Sequence, residues 1–289
     1  MKRHSSLLAT WLLCFASLPA IAYPVGKSAF MFEASPHRNI EVLVYQPKNF
    51  GPNSPIQFVM HGISRNADVN RQRWIEIADR HGVLIVAPKF SKHLYKHATD
   101  YTLGGKDFSK VSEMTIAVVE KLFDRVKKDT GNLNAGYRIY GHSAGAQFVE
   151  RLVLLFPDNR VEAAVAANAG WYTLPEWRAT SSLPGMPYST KDLPGAEARL
   201  RQAFGRHLII MLGDKDIDPN HMQLEHGAEV DQQGVERFSR GKHFFAMAEA
   251  AARTLGVKSS WELKIEPGVD HDGKRMTVLA AELLYGKMP

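Results

Sequence analysis

The chain has 289 residues, 45% of them apolar and 23% charged, with a formal net charge of +6. These proportions exclude a disordered or fibrous chain and leave enough length for a sizeable core. The basic residues are scattered, without the runs or interleaved aromatics of a nucleic-acid surface, so nucleic acid is not expected as a partner.

The first 22 residues read as a signal peptide. Lys2, Arg3 and His4 form a positive start, Leu7 to Leu18 an apolar stretch too short to span a bilayer, and Ala20-Ile21-Ala22 a small-residue cleavage site. Cleavage after Ala22 would leave an exported protein, periplasmic or extracellular, with no stable membrane anchor. Cys14 is the only cysteine and lies inside this segment. The remaining chain, residues 23–289, can therefore form no disulfide and use no cysteine nucleophile, and it is expected to fold as a single α/β domain.

In chain order, Ala29 to Ala34 and Ile40 to Gln46 alternate as two antiparallel strands that turn near Ser35-Pro36-His37. Ile56 to Met60 is a buried-type strand ending at His61-Gly62. A helix follows from about Val69 to Arg80, then the apolar strand Val83 to Ala87. Residues 88–110 form a long loop, of the kind that is usually functional. Ser112 caps a helix running to Lys128, with Ile116, Val119, Phe123 and Val126 on one face. Tyr137 to Tyr140 is a strand, followed by Gly141-His142-Ser143-Ala144-Gly145 and a helix to Phe156.

That five-residue stretch is a G-x-S-x-G turn between strand and helix. The serine sits at the apex of a strained turn, and a side chain at either glycine would collide with the neighbouring strand or helix. The helix that starts there aims N–H groups at the same point, which suits a developing oxyanion.

Val161 to Ala167 is the next strand, ending near Trp171-Tyr172. These two aromatics either wall a substrate site or cover the sheet edge. Residues 172–195 are rich in Pro and Ser and read as a loop excursion over the sheet. His207 to Leu212 is a strand running into Gly213-Asp214-Lys215-Asp216-Ile217-Asp218. Lys242 to Leu255 is a helix, Trp261 to Ile265 the last strand, and Met276 to Leu284 the closing helix. Alternating strands and helices specify an α/β fold, a mostly parallel sheet flanked by helices on both faces. The marked residues His61, Ser143, Trp171, Asp216 and His271 all fall at the carboxyl ends of its strands, where such sheets bind ligands.

A serine hydroxyl becomes a nucleophile when a base takes its proton, and the base needs a carboxylate to orient it. Serine at 143, an acid near 216 and histidine at 271 stand in the Ser…Asp…His order of α/β-hydrolases. The chain resembles the secreted esterases of that fold, the group that includes polyhydroxyalkanoate depolymerase-like and feruloyl esterase-like enzymes. The resemblance rests on Phe58-Val59-Met60-His61-Gly62 with Asn66-Ala67, on Trp74 through His81-Gly82-Val83 to Pro88, on Gly141 to Gly145 with Phe156-Pro157-Asp158, and on Gly268-Val269-Asp270-His271. It implies Ser143 as nucleophile, His271 as base, and an oxyanion hole from the N–H groups of Ile63 and Ala144. It places the acid three residues after the glycine that ends its strand, at Asp216, with Asp218 and then Asp214 as alternatives. His61 is placed beside substrate together with Trp171 and Tyr172.

The expected reaction is hydrolysis of a small or polymeric carboxylic ester through an acyl-enzyme. A serine peptidase of the same fold and a non-catalytic binding protein are the rival classes. No metal or organic cofactor is expected. Asp214, Asp216, Asp218 and Glu225 echo a calcium loop, but Pro219 stands where that loop needs glycine. His93 and His97 read as surface histidines, and the oligomeric state is left open.

Overall fold

The computed structural model describes residues 23–103, 108, 110, 113–156 and 158–286. The segment expected to be a signal peptide, with Cys14, the expected cap at Ser112 and the motif residue Pro157 lie outside the described residues. Eight strands form one sheet in the order β1-β2-β4-β3-β5-β6-β7-β8. They are β1 (Gly26–Ser35), β2 (Arg38–Gln46), β3 (Ile56–Met60), β4 (Leu84–Lys89), β5 (Tyr137–His142), β6 (Val161–Ala167), β7 (Leu208–Gly213) and β8 (Trp261–Glu266). β2 runs antiparallel to both β1 and β4, and every other neighbouring pair is parallel.

Successive strand residues point to opposite faces, and this divides the core into two layers. Phe58, Met60, Leu84, Val86, Ile139, Ile210 and Leu212 belong to one layer; Val59, Ile85, Ala87, Tyr140, Ile209 and Met211 belong to the other. Helices α4 (Val118–Thr130), α5 (Ala144–Leu155), α6 (Ala196–Phe204) and α7 (Arg237–Leu255) cover the first layer. The second is covered by α1 (Ala67–Arg73), α2 (Ile75–His81) and α8 (Gly273–Tyr285). All twelve residues of α5 are buried, so the helix that begins at the serine turn is fixed on every side.

The structure departs from the sequence reading at several elements. The helix expected over 69–80 is two helices, broken at Trp74, whose backbone stays near helical (φ −98°, ψ −3°). Its indole is fully buried, with its ring centroid 5.3 Å from that of Tyr140 and 6.5 Å from that of Tyr285. Packing of the ring sets the joint. The long loop after β4 carries a short helix, α3 (Ala98–Thr102). The excursion over 172–195 holds no strand or helix beyond a Leu174–Ser189 bridge, yet it buries Leu174, Leu183, Ser189 and Thr190, and α6 follows it directly. Among the described residues no helix is long and apolar enough to cross a membrane.

Candidate active site

The serine turn is closed by backbone contact. A Cβ on Gly141 would strike the carbonyl of Gly145, and a Cβ on Gly145 would strike that of Met60 in β3. Only glycine lets strand, turn and helix meet this closely. Ser143 itself sits at φ 59°, ψ −120°, a conformation that non-glycine residues adopt only when their surroundings enforce it. Its N–H is tied to the Ala167 carbonyl at 3.0 Å, which anchors the turn to the end of β6.

Asp216 and His271 come from loops after β7 and β8. His271 Nδ1 lies 2.6 Å from Asp216 Oδ2, with Asp216 4% exposed. The other two candidate acids are committed to backbone N–H groups, Asp214 across to the loop after β8 and Asp218 within its own turn. Asp214 Oδ1 accepts the Gly268 N–H at 2.6 Å, and Asp218 Oδ1 accepts the Asn220 N–H at 2.8 Å. Of the three aspartates, Asp216 is the one hydrogen-bonded to the imidazole.

A buried asparagine holds these loops in register. Asn168, at φ 49°, donates from Nδ2 to the Asp270 carbonyl at 3.0 Å. Its Oδ1 accepts the Gly213 N–H at 2.8 Å, and its own N–H donates to the Met211 carbonyl at 2.9 Å. One side chain thus links the end of β6 to the loops carrying Asp216 and His271. Arg237 stands behind the pair, fully buried. It donates toward Asp216 Oδ1 at 3.3 Å and toward His221 Nδ1 at 3.2 Å.

The His271 ring lies between two other imidazoles. The His142 ring centroid is 4.5 Å away and that of His221 is 5.3 Å away. Burial, reinforced by His271, Arg73 and Arg237, holds His142 well below the usual histidine range, so it is neutral. The flanking His221 is also lowered, by burial and by Arg237.

Two clefts meet at Ser143. One, of about 180 Å³, is lined by Asn66, Arg73, His142 and His271. The other, of about 240 Å³, is lined by Ala144, Trp171, Met222 and Glu225. Ile63, Ser143 and Gln223 border both. Ile63 borders both clefts and Ala144 one of them, so both residues lie beside the serine. Among the described residues no cluster of three or more His, Cys, Asp or Glu side chains is arranged to hold a metal ion.

The fold is shared with solved structures. Poly(aspartic acid) hydrolase-1 from Sphingomonas sp. KT-1 is 35% identical, with a TM-score of 0.85 over 91% of this chain and 100% of that one. The poly(3-hydroxybutyrate) depolymerase from Bordetella parapertussis is 30% identical, with a TM-score of 0.84 over 92% of each chain. The chain belongs to the polyhydroxyalkanoate depolymerase-like group of α/β-hydrolases. An S-formylglutathione hydrolase from Agrobacterium tumefaciens, 15% identical with a TM-score of 0.56 over 91% of this chain and 95% of that one, shares the fold alone. No family model matches the chain, and no curated protein matches it.

Two residues of this α/β-hydrolase expected beside substrate lie elsewhere. His61 is fully buried beneath the Ile63 turn. Its Nδ1–H donates to the Gly62 carbonyl at 3.0 Å and its Nε2 accepts the Phe90 N–H at 3.0 Å. Burial drives its pKa down to about 3, so it is a neutral brace with no nitrogen to offer a ligand. Arg65, at φ 61°, braces the same turn by donating to the carbonyls of Phe90 and His97 at 2.7 and 3.1 Å. Tyr172 is also fully buried, stacked on Phe244 with ring centroids 4.5 Å apart. Trp171 does line a cleft. Its Nε1–H donates to Glu225 at 2.9 Å, and the Arg151 guanidinium lies 4.4 Å from its ring centroid. Asn168 and Arg237 were missed as site residues. Asn168 is a lone polar position in a buried segment and Arg237 one of several charged residues at the start of α7, and no spacing pattern marks either.

Proposed function

We propose that this hydrolase cleaves carboxylic esters by a serine mechanism, with Ser143 as nucleophile, His271 as base and Asp216 as its orienting acid. The observation that carries the proposal is the 2.6 Å contact between Asp216 and His271, with His271 and Ser143 lining one cleft. Asp216 holds the His271 proton on Nδ1, which leaves Nε2 free to accept. Ser143 Oγ attacks the ester carbonyl as His271 takes its proton. The oxyanion forms against the N–H groups of Ile63 and Ala144, the first of α5, where the helix leaves its leading donors unpaired. His271 then protonates the leaving alcohol, and water, activated by the same imidazole, releases the acid and restores the serine.

The same arrangement would serve an amide, and the relative named as a poly(aspartic acid) hydrolase favours keeping that as the second reading. Export through the first 22 residues is part of the proposal and is checked by the N-terminal sequence of the mature protein. The mechanism is tested by labelling with a fluorophosphonate probe and by turnover of p-nitrophenyl acetate. Labelling is expected on Ser143, and Ser143→Ala is expected to lose nearly all turnover while remaining folded. A Ser143→Ala variant with wild-type rates would remove the serine mechanism.

A further inference from the structure

We propose that Arg73 forms a carboxylate-binding subsite on the His271 side of Ser143, so that the preferred esters carry a free carboxylate on their alcohol portion. This rests on the serine esterase reading above and adds the substrate's polarity to it.

Arg73 is the last residue of α1 and lines the catalytic cleft together with Ser143 and His271. Its Nη1 stands in a notch opened by a glycine. A Cβ on Gly273 would come within 2.8 Å of it and within 2.9 Å of His142 Nδ1. Neighbouring cations are already committed: Arg71 to the carbonyls of Ser28 and Val44, Arg65 to Phe90 and His97, and Arg237 to Asp216. Among the described residues Arg73 has no ion pair and no hydrogen bond. Among the described residues no carboxylate lines the catalytic cleft, whose polar lining includes the neutral Ser64, Asn66, Asn70 and Gln223. Arg73 also borders the neighbouring groove with Asp68, Glu76 and Asp79, yet pairs with none of them, and on the Ser143 side an uncommitted guanidinium in a cleft without acids is a fork of donors shaped for a carboxylate.

The second cleft has the opposite character. Glu225 lines it, held by the Trp171 indole, and the remaining wall includes the apolar side chains of Met222 and Leu224. The two sides of Ser143 thus differ in sign. His271 must hand its proton to the leaving alcohol, so the alcohol portion lies in the cleft that His271 lines. The acyl portion then faces Trp171 and Glu225, which accept an apolar chain or a hydroxyl and disfavour an anion. A short ester of one hydroxy acid with another has this polarity, with a hydroxyl at its acyl end and a carboxylate at its alcohol end.

The larger groove of about 690 Å³ that continues beyond Arg73 argues for one carboxylate and against a long polyanion. Lys27, Arg71 and Lys274 are offset there by Asp68, Glu76 and Asp79, so a second and third anionic group would gain little.

The test compares 4-acetoxybenzoate with its methyl ester, which differ by one charge on the leaving phenol. The ratio of their kcat/KM values is measured for wild type, Arg73→Gln and Arg73→Lys, so that the intrinsic difference between the two phenols cancels. The anionic-to-neutral ratio is expected to fall about tenfold in Arg73→Gln and to recover in part in Arg73→Lys. An unchanged ratio overturns the subsite and leaves the esterase reading standing. A wild-type protein that hydrolyses neither ester overturns the esterase reading and the subsite with it. If Arg73→Gln does not fold, inhibition of wild-type p-nitrophenyl acetate hydrolysis decides. 4-Hydroxybenzoate is expected to inhibit more strongly than its methyl ester, with the difference shrinking as salt is raised. Equal inhibition at low salt overturns the proposal.

Discussion

The buried guanidinium of Arg237 stands 3.3 Å from Asp216 Oδ1, the carboxylate oxygen that His271 does not use. A carboxylate at this depth needs a counter-charge, and in the proposed mechanism His271, alternating between neutral and charged, cannot supply it alone. Arg237 is the permanent partner. Removing one member of a buried pair leaves the other unpaired, so Arg237→Met is expected to lower stability by about 3 kcal/mol. Urea unfolding followed by tryptophan fluorescence measures it, and a change within experimental error would show that the pair carries no net stability.

Asp216 and Asp218 differ in what they touch, and activity should follow. Asp216→Asn leaves the shape intact but presents the wrong donor to His271 Nδ1, so kcat is expected to fall on the order of ten-thousand-fold. Asp218→Asn disturbs only a bond to the Asn220 N–H and is expected to stay within a fewfold of wild type. Steady-state kinetics on p-nitrophenyl acetate separate the two. The reverse ranking would move the acid to Asp218.

Asn168→Gly isolates the hydrogen bonds of that residue from its backbone. Glycine accepts φ 49° without strain, so what is lost is the pair of bonds to Gly213 and Asp270. Stability is expected to drop by about 2 kcal/mol, with kcat reduced more than KM is raised, because the acid and base loops lose their common strut. A variant with the wild-type kcat would show that the loops hold their register without it.

His61 predicts a pH dependence with a definite sign. Its pKa is near 3 when folded and about 6.5 when unfolded, so unfolding takes up a proton between those values. Stability held by a neutral His61 is complete above about pH 6.5 and is lost as pH falls toward 3. Glu150, raised by burial to about 7, works in the opposite direction between its own two pKa values, so the raw profile mixes the two. Comparison with His61→Asn cancels Glu150. The stability gap between wild type and this variant is expected to narrow by about 1.4 kcal/mol per pH unit between about pH 6 and pH 4. A constant gap across that range would mean that His61 is not held neutral by the fold.

The frame of the molecule was legible because strand residues report burial directly. The apolar runs at 56–60 and 161–167 coincide with β3 and β6, and the glycines around Ser143 imposed the turn that the structure contains. What escaped depends on contacts between distant residues. A period of 3.6 does not register a one-residue joint, so the break at Trp74, set by Tyr140 and Tyr285, was invisible. His61 read as a ligand-facing residue because it ends a strand, yet the Phe90 N–H claims its free nitrogen from another loop. Asn168 and Arg237 act through partners more than 15 residues away, which a single sequence does not mark.

The backbone angle at Ser143 has one more consequence. Holding a serine at φ 59° costs on the order of 1 kcal/mol, and the surrounding strand and helix bear that cost whether or not substrate is present. Ser143→Gly should therefore melt at a higher temperature than the wild-type protein while turning over nothing. At this position resilience and usefulness trade against each other, and screening variants for heat resistance alone would select against the hydroxyl.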